Sequence, residues 1–572
     1  MHRSEESAFV PCHPLGTEAR VLLCSVFGPY ARDDEFGSRA INPMELYHNQ
    51  VTRVQHAFSL RMFHRSWGLM MIQANIQAPC TLLDFPTRER FIRELREKTY
   101  DIVGIGAIQP NHLKVAEMCR LIREHRPEAT IVVGGHVANL PSVHERIDAD
   151  HIVRGEGVRW FRRFLGEDAD RPIRHPRCLA GLDSRTMGVK LPGGIESMAA
   201  VLIPSVGCPM ACNFCATSAM FGGKGRFINF YETGDELFRV MAELEQELKV
   251  QSFFVMDENF LFQRERALRL LELMRQHGKS WTIYVFSSAR VVKSYTMEQL
   301  IGLGVQWVWM GLEGKDSSYD KLNGVDTRAL VRELQSHGIT VLGSSIIGLE
   351  EHTPENLPEV IEYAVSHQSD FHQFMLYTPL AGTPLFQEHK ERGTLLDPEC
   401  REAEDTHGQL RFAHRHPHIP AGQETRFLQQ AFERDFEANG PSILRLMKTT
   451  LNGYLRYGQD PDPRIRQRFL LAKRDLQFTY AAALWAAALW YRKQPALRER
   501  IREALHGIYR RFGWRARLSA WTAGPYLYRQ LRKEHDRLLA GQTYEPQTYY
   551  EQTHQHRIGL RPKERAVPVA AS

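Results

Sequence analysis

Three cysteines within eight residues, Cys208, Cys212 and Cys215, are the groups in this chain best suited to chemistry. They lie in the run Val206-Gly207-Cys208-Pro209-Met210-Ala211-Cys212-Asn213-Phe214-Cys215-Ala216-Thr217, with spacing C-x3-C-x2-C. Cysteine thiolate is the ligand that holds iron–sulfur centres. Three such ligands cap one face of a four-iron cubane and leave one iron open. An electron carrier would normally keep a fourth cysteine close at hand, so the count points to chemistry at the metal. Zinc is the competing metal. Its sites favour four ligands in paired C-x2-C arrangements, and no second pair follows here.

This loop resembles that of the radical S-adenosylmethionine (SAM) superfamily. The resemblance implies a [4Fe–4S] cluster on Cys208, Cys212 and Cys215, with SAM chelated through its amino and carboxylate groups at the open iron. An electron from the cluster then cleaves SAM to a 5′-deoxyadenosyl radical, which takes hydrogen from an unactivated C–H bond. The family places an aromatic residue before the third cysteine, beside the adenine; here it is Phe214.

The elements that must position this loop come from a chain of 572 residues, too long for one ordinary core. Composition is globular, at 43% hydrophobic and 24% charged, and the net charge of +6 does not make a general nucleic-acid binder. Six further cysteines are scattered without disulfide-framework spacing, which predicts a reducing compartment, the cytoplasm. Met1 to Glu6 has no apolar run behind it, so no secretory leader is visible. The longest apolar run, Phe478 to Tyr491, is shorter than the ~20 residues a bilayer requires.

Residues 1–18 are expected to be an extension, and 19–170 a doubly wound parallel sheet of Rossmann type. Val21–Val26, Tyr100–Gly106 and Ala129–His136 read as buried strands, and Leu113–His125 as the helix between the last two. Strand, helix, strand and Gly-Gly make a βαβ unit, whose ligands sit at the carboxyl ends of the strands. The region resembles the cobalamin-binding domain that precedes many radical SAM domains. The matching pieces are Val133-Gly134-Gly135-His136 and Ala149 to Gly157. The resemblance implies cobalamin contacts at Gly134, Gly135, Gly155 and Glu156. Gly28 to Glu35, after the first strand, holds no histidine where many such domains carry an Asp-x-His-x-x-Gly loop. A vestigial domain with packing glycines is the other reading.

Residues 171–196 read as a linker, and 197–400 as a partial (β/α)6 barrel. Six strands, at Ala199–Ser205, Phe253–Met256, Trp281–Phe286, Trp307–Met310, Thr340–Ile347 and Phe374–Tyr377, end in polar residues where such barrels put active sites. Over about 200 residues these strand ends resemble the superfamily in order and character. By that resemblance Arg290, Glu313 and Asp257 contact SAM, with Asn259 facing the same cavity. Gly343 and Gly348 let the chain pass close to the adenosyl group.

Residues 401–545 read as a helical C-terminal region and 546–572 as a disordered tail. His407, His414, His416 and His418 read as a solvated loop, with metal binding as the other reading. The Phe478–Tyr491 run, with the basic residues behind it, reads as a buried core helix beside a charged one, or as a contact with a membrane surface.

The first reading of function is a cobalamin-dependent radical methylase. The second is a radical SAM enzyme that cyclises, couples or otherwise modifies a lipid or natural product. The third is a non-enzymatic iron–sulfur protein that regulates or binds nucleic acid, against which stands the absence of aromatic-plus-basic binding modules. The enzyme readings imply a small-molecule or lipid substrate and a low-potential electron donor such as flavodoxin or ferredoxin.

Overall fold

The computed structural model describes residues 11–27, 51–60, 64–180, 185–186, 189–190, 199–314, 319, 321–322, 324–396, 407–540 and 548–553. The loop Gly28–Glu35, most of the extension 1–18, and the tail beyond 553 lie outside the described residues.

The first sheet contains β1 (Val21–Cys24), β2 (Cys80–Asp84), β3 (Ile102–Gly106), β4 (Thr130–Gly134) and β5 (His151–Val153). They run parallel in the order β2-β1-β3-β4-β5. Both faces are covered, which is why the strands read as continuous apolar runs. Val21, Leu23, Leu82 and Ile102 pack beneath the helices Trp67–Asn75 and Gly157–Phe164. Leu22, Cys24, Leu83, Val103 and Ile105 pack on the other side, beneath His112–His125. Chain order reverses between β1 and β3, so the crevice at their carboxyl ends is a topological switch point.

The expected disordered tail is corrected at one place. Tyr549–Gln552 is a strand, paired antiparallel along the outer edge of β2 with Tyr549 opposite Asp84 and Gln552 opposite Thr81. The Tyr549 ring lies 4.8 Å from the Arg65 guanidinium, and Lys98 reaches the Tyr550 hydroxyl. An exposed sheet edge is thereby closed.

The second sheet contains β6 (Ala199–Leu202), β7 (Ser252–Val255), β8 (Thr282–Ser288), β9 (Val305–Gly311), β10 (Thr340–Ile347) and β11 (Phe371–Leu376). All six are parallel and adjacent in chain order, as an open (β/α)6 barrel requires. Side chains alternate. Phe253, Val255, Ile283, Val285, Val308 and Met310 join one core beneath the outer helices. Phe254, Phe286, Trp307 and Trp309 face the concave side, where Phe286 stacks on Trp309 at 5.0 Å and Trp307 on Phe371 at 5.1 Å. The outer helices are well stopped. Gly234–Leu248 and Met297–Leu303 start in capping boxes, Thr233 with Glu236 and Thr296 with Gln299. The second ends at Gly304, φ +80°, where an added Cβ would meet the Trp281 carbonyl oxygen.

The two sheets are joined by a packed segment. Arg162, fully buried, donates to the Asn75 carbonyl (2.8 Å) and Oδ1 (3.0 Å) and to the carbonyls of Ala169, Arg171 and Pro172. His175 follows. Its Nδ1 donates to the Pro176 carbonyl (2.7 Å), and its Nε2 accepts from the Ile203 N–H (2.9 Å). The first ten residues of the expected linker are irregular chain packed beside the barrel's entry strand, with one bridge between Leu179 and Ala200.

The C-terminal region is helical: Gln423–Asn439, Ser442–Tyr457, Pro463–Asp475, Ala481–Trp490, Pro495–Phe512 and Trp514–Leu539. A π-turn, Leu476–Tyr480, joins the third of these to the fourth. From Ala481 onward the apolar run is core: Ala481, Leu484, Ala486 and Ala487 are fully buried, together with Ala57 and Phe58 from the first region. Among the described residues no helix is long and apolar enough to cross a membrane. The histidine stretch is corrected at His414, while His418 is exposed as expected. His414 is buried, with its ring 4.3 Å from that of His389. The bridge between Leu395 and His414 draws it inward.

Candidate active site

The cysteine loop follows β6 and the short pairing of Ser205–Val206 with Ile228–Asn229. Gly207 and Ala211 adopt positive φ (+92° and +51°) to turn it. Cys215 caps the helix Ala216–Met220, its Sγ accepting from the Ser218 N–H at 3.4 Å, while Ser218 Oγ donates to the Cys208 carbonyl at 2.7 Å. All three thiols are partly exposed. Burial and the neighbouring thiols raise the pKa of Cys208 to about 11. Burial also raises those of Cys212 and Cys215, and Lys321 opposes this at both. Among the described residues no three Cys, His, Asp or Glu are gathered as one metal ion would need. A cubane asks for something else, because it spreads its thiolates over separate irons. Three half-buried thiols on one loop, repelling one another and relieved by a single ammonium, fit such a cluster. Ligation would release their protons.

Around the loop stand residues from four strand ends. Glu313, after β9, is buried at 3% exposure and held at φ +44°, a strained conformation for a non-glycine residue. Its Oε1 pairs with Lys321, and its buried Oε2 has no partner among the described residues. An orphaned carboxylate oxygen beside three thiols is what an incoming ammonium or ribose hydroxyl would satisfy. Lys321 is buried, which by itself lowers its pKa, but Glu313 and Cys212 raise it and the net shift is upward, so it remains an ammonium. Its Nζ lies 5.1 Å from the centre of the Phe214 ring. Phe214 meets Tyr319 and Tyr377 edge-on at 5.3 and 6.0 Å, and Asn213 donates to the Tyr377 hydroxyl at 3.0 Å. Phe214 and Glu313 are thus brought together with the cysteines, and Lys321 joins them.

Several other expected contacts are placed differently. Arg290 is exposed at the start of the helix Ala289–Lys293, and only its N–H reaches inward, to the Lys321 carbonyl at 3.0 Å. Lys321 rather than Arg290 is the cation beside Glu313. Asp257 is committed elsewhere: Oδ2 binds Arg266 (2.9 Å) and the Ser205 hydroxyl, and Oδ1 accepts from the Asn259 N–H (3.0 Å). Asn259 is tied to Ser287 and Ser288. The residue between them, Glu258, is the one at the loop. Its Oε2 accepts from the Gly207 N–H at 2.9 Å, and burial, with Asp257 beside it, raises its pKa to about 7. Gly343 and Gly348 are required by packing. A Cβ on Gly343 would lie 2.5 Å from Leu312 Cδ1, and one on Gly348 would enter the Phe412 ring.

The first sheet turns its carboxyl ends toward the same loop. The β5 loop comes to the cysteine-loop helix, where a Cβ on Gly155 (φ +85°) would lie 3.8 Å from the Met220 carbonyl oxygen. Gln109, after β3, donates to the Ala381 carbonyl beyond β11 at 2.8 Å, and the Cβ position of Gly382 lies 2.9 Å from Asn139 Cβ. Of the four expected cobalamin residues, Gly155 faces this junction. Gly134 is unremarkable, since a Cβ there would make ordinary contacts with Val153. Gly135 (φ +85°) lets β4 pass Ala107, whose carbonyl oxygen a Cβ would approach to 2.5 Å. Glu156 caps the helix Gly157–Phe164 through the N–H groups of Val158 and Arg159. Polar groups that the sequence reading passed over collect here instead: Gln109, Asn111 and His112 are buried. The buried Nδ1 atoms of His112 and His136 have no partner among the described residues. A ligand rimmed with amides, such as a corrin, would supply partners for them.

Comparison with known proteins agrees with these two halves. The family model for the B12 binding domain matches residues 59–165, and that for the radical SAM superfamily matches 202–364. The chain is 25% identical over 343 residues to an uncharacterized methyltransferase of Pyrococcus horikoshii, covering 53% of this chain and 72% of that one. It is 28% identical over 198 residues to bacteriochlorophyllide d C-12(1)-methyltransferase of Chlorobaculum tepidum, covering 33% and 42%. To anaerobic magnesium-protoporphyrin IX monomethyl ester cyclase of Cereibacter sphaeroides it is 25% identical over 359 residues, covering 55% and 57%. The chain thus spans about half the length of the last two relatives. A radical SAM domain implies a [4Fe–4S] cluster and SAM, and a B12-binding domain supports cobalamin. The chain carries a B12-binding domain, residues 59–165, ahead of a radical SAM domain, residues 202–364.

Proposed function

We propose that this protein is a cobalamin-dependent radical SAM methylase acting on an unactivated carbon of a small molecule or lipid. The observation that carries this reading is the meeting of the two sheets' carboxyl ends, with Gly155 at Met220 and Gln109 at Ala381. That arrangement would bring a corrin at the first sheet and a cluster on the cysteine loop face to face. When bound, the cluster with SAM supplies a carbon radical, and cobalamin supplies a methyl group. The chain's own residues do the rest. Cys208, Cys212 and Cys215 anchor the cluster. Glu313 offers Oε2 to the polar end of SAM, and Lys321 fixes its Oε1. Phe214, Ile346, Leu349, Tyr377 and Leu385 form an apolar wall that keeps water from a reactive centre. Gln109, Asn111, His112 and His136 offer hydrogen bonds to a corrin rim. A low-potential flavodoxin or ferredoxin delivers the electrons. Ring closure with the same machinery is the second reading, favoured by the similarity to a cyclase.

The test is anaerobic. The protein is reconstituted with iron, sulfide and cobalamin, then given SAM and dithionite together with candidate lipids and tetrapyrroles. The methylase reading predicts 5′-deoxyadenosine and S-adenosylhomocysteine together with a methylated product. Deoxyadenosine alone, with bound cobalamin and a cyclised product, would establish the second reading. Glu313→Gln should weaken SAM binding about tenfold or more while leaving the iron content intact.

A further inference from the structure

The helix Trp514–Leu539 exposes an apolar stripe. Trp514 is 68% exposed, Leu518 54% and Trp521 75%, at spacing i, i+4, i+7 on one face. Ala516 and Ala520 on the opposite face are fully buried in the helical core, so the stripe is not core turned outward by misregistry. Phe478, 42% exposed, lies beside it, since Ser519 Oγ donates to the Phe478 carbonyl at 2.9 Å. The surroundings are cationic. From Arg492 to Arg517 the chain has nine Arg and Lys against two Glu. Arg510, Arg511, Arg515 and Arg517 are all exposed.

A second feature shares two of these arginines. An open cavity of ≈ 670 Å³ lies between the helices Ser442–Tyr457 and Pro495–Phe512. Leu444, Met447 and Leu451 give it an apolar floor, and Lys448, Arg500 and Arg511 rim it, with Arg510 and one carboxylate, Glu503, also lining it. Burial, and the charge of Arg500, lower the pKa of Lys448, so like charges converge on the cavity. That arrangement is costly unless an anion enters.

We propose that this face is a docking surface for an anionic lipid bilayer. Trp514, Leu518 and Trp521 enter the interface, and the arginine-rimmed cavity takes the phosphate headgroup of one lipid. Exposed tryptophan with flanking arginine is the pattern of a helix lying in the plane of a membrane surface. A second copy of this chain would bury the stripe but set nine like charges against nine. A nucleic acid would use the arginines and leave Leu518 and Phe478 in water. The apolar Phe478–Tyr491 run pointed toward such a surface in sequence, but apart from Phe478 at its start it is largely the buried scaffold; the contact is carried by the next helix but one.

The test is flotation of the full chain with vesicles of phosphatidylcholine alone or mixed with phosphatidylglycerol. The protein should float with the anionic vesicles only, and less at high salt. The variant Trp514→Ser/Trp521→Ser should lose about tenfold or more in vesicle affinity, with unchanged circular dichroism because both side chains are exposed. Arg511→Ser should cost about fivefold. Inorganic phosphate at millimolar concentration should not displace the protein, because it lacks the acyl chain. No flotation, equal flotation of the tryptophan variant, or release by inorganic phosphate would overturn the proposal. So would a dimer that dissociates on the tryptophan substitutions without any vesicle binding. Tighter binding of single-stranded DNA than of anionic vesicles would assign the surface to nucleic acid instead.

Discussion

Replacing Asp257 separates a structural keystone from a SAM ligand. Its carboxylate is 5% exposed and its partner Arg266 only 1% exposed, with Oδ2 to Nη2 at 2.9 Å. Arg266 also donates to the Tyr231 carbonyl at 3.0 Å, and Ser205 donates to the same Asp257 oxygen. Asp257→Ala would leave a guanidinium buried without a counter-charge, which costs about 3–5 kcal/mol. With a urea slope of about 1–3 kcal/mol per molar, the transition of the barrel should move down by about 1–5 M. The assay is urea unfolding followed by tryptophan fluorescence, since Trp281 is fully buried in the same core. The double variant Asp257→Leu/Arg266→Met should recover at least half of the loss, because a buried ion pair can be replaced by apolar groups where a lone charge cannot be tolerated. A transition that moves by less than about 0.5 M in Asp257→Ala, with SAM affinity abolished, would refute this reasoning and return Asp257 to the binding site.

Other substitutions test other joints. Gly304→Ala puts a Cβ against the Trp281 carbonyl at φ +80°, and should lower stability by at least about 1–3 kcal/mol, read as a fall in Tm. Lys321→Met should leave the buried Glu313 carboxylate unpaired, lowering both thermal stability and SAM affinity, as differential scanning calorimetry and equilibrium dialysis would show. Burial lowers the pKa of His175 to about 4 in the folded protein, against about 6.5 unfolded. The unfolded chain therefore binds more protons between these values, so stability is complete above pH 6.5 and is lost as pH falls toward 4, by at most about 1.4 kcal/mol per unit. His352, lowered to about 4 by the same cause, adds to the slope. His175→Gln should lower stability at neutral pH and make the loss between pH 6.5 and 4 shallower, measured by thermal unfolding across that range.

The sequence carried the barrel plainly because each strand contributes its own alternation. Phe253 and Val255 face outward while Phe254 faces the concave side, a local pattern legible without any partner. The cysteine loop was legible for the same reason, since its chemistry lies within eight residues. What escaped depended on distant neighbours. Asp257 looked like a site residue until Arg266, on the next helix, and Ser205, on the previous loop, closed around it. Arg290 and Lys321 are both cations near the end of a strand–helix unit, and only the fold decides which one reaches Glu313. Tyr549–Gln552 carries no apolar alternation that marks it as a strand, because one side faces solvent and its pairing partner is β2, far away in the chain. The cobalamin side was the least legible. Gly135 and Glu156 serve backbone packing and helix capping, and of the open polar groups His112 belongs to no local motif, while His136 stood in the motif without a role of its own.

The central claim is that one chain holds cobalamin and the cluster at the two facing sheet ends. It is tested most directly by electron paramagnetic resonance of the reconstituted protein carrying reduced cobalamin and a reduced cluster. Proximity predicts a spin–spin interaction that broadens or splits both signals, and loss of the interaction in a variant lacking Cys208, Cys212 and Cys215. Two sharp, independent signals, or no cobalt retained after desalting, would contradict the account.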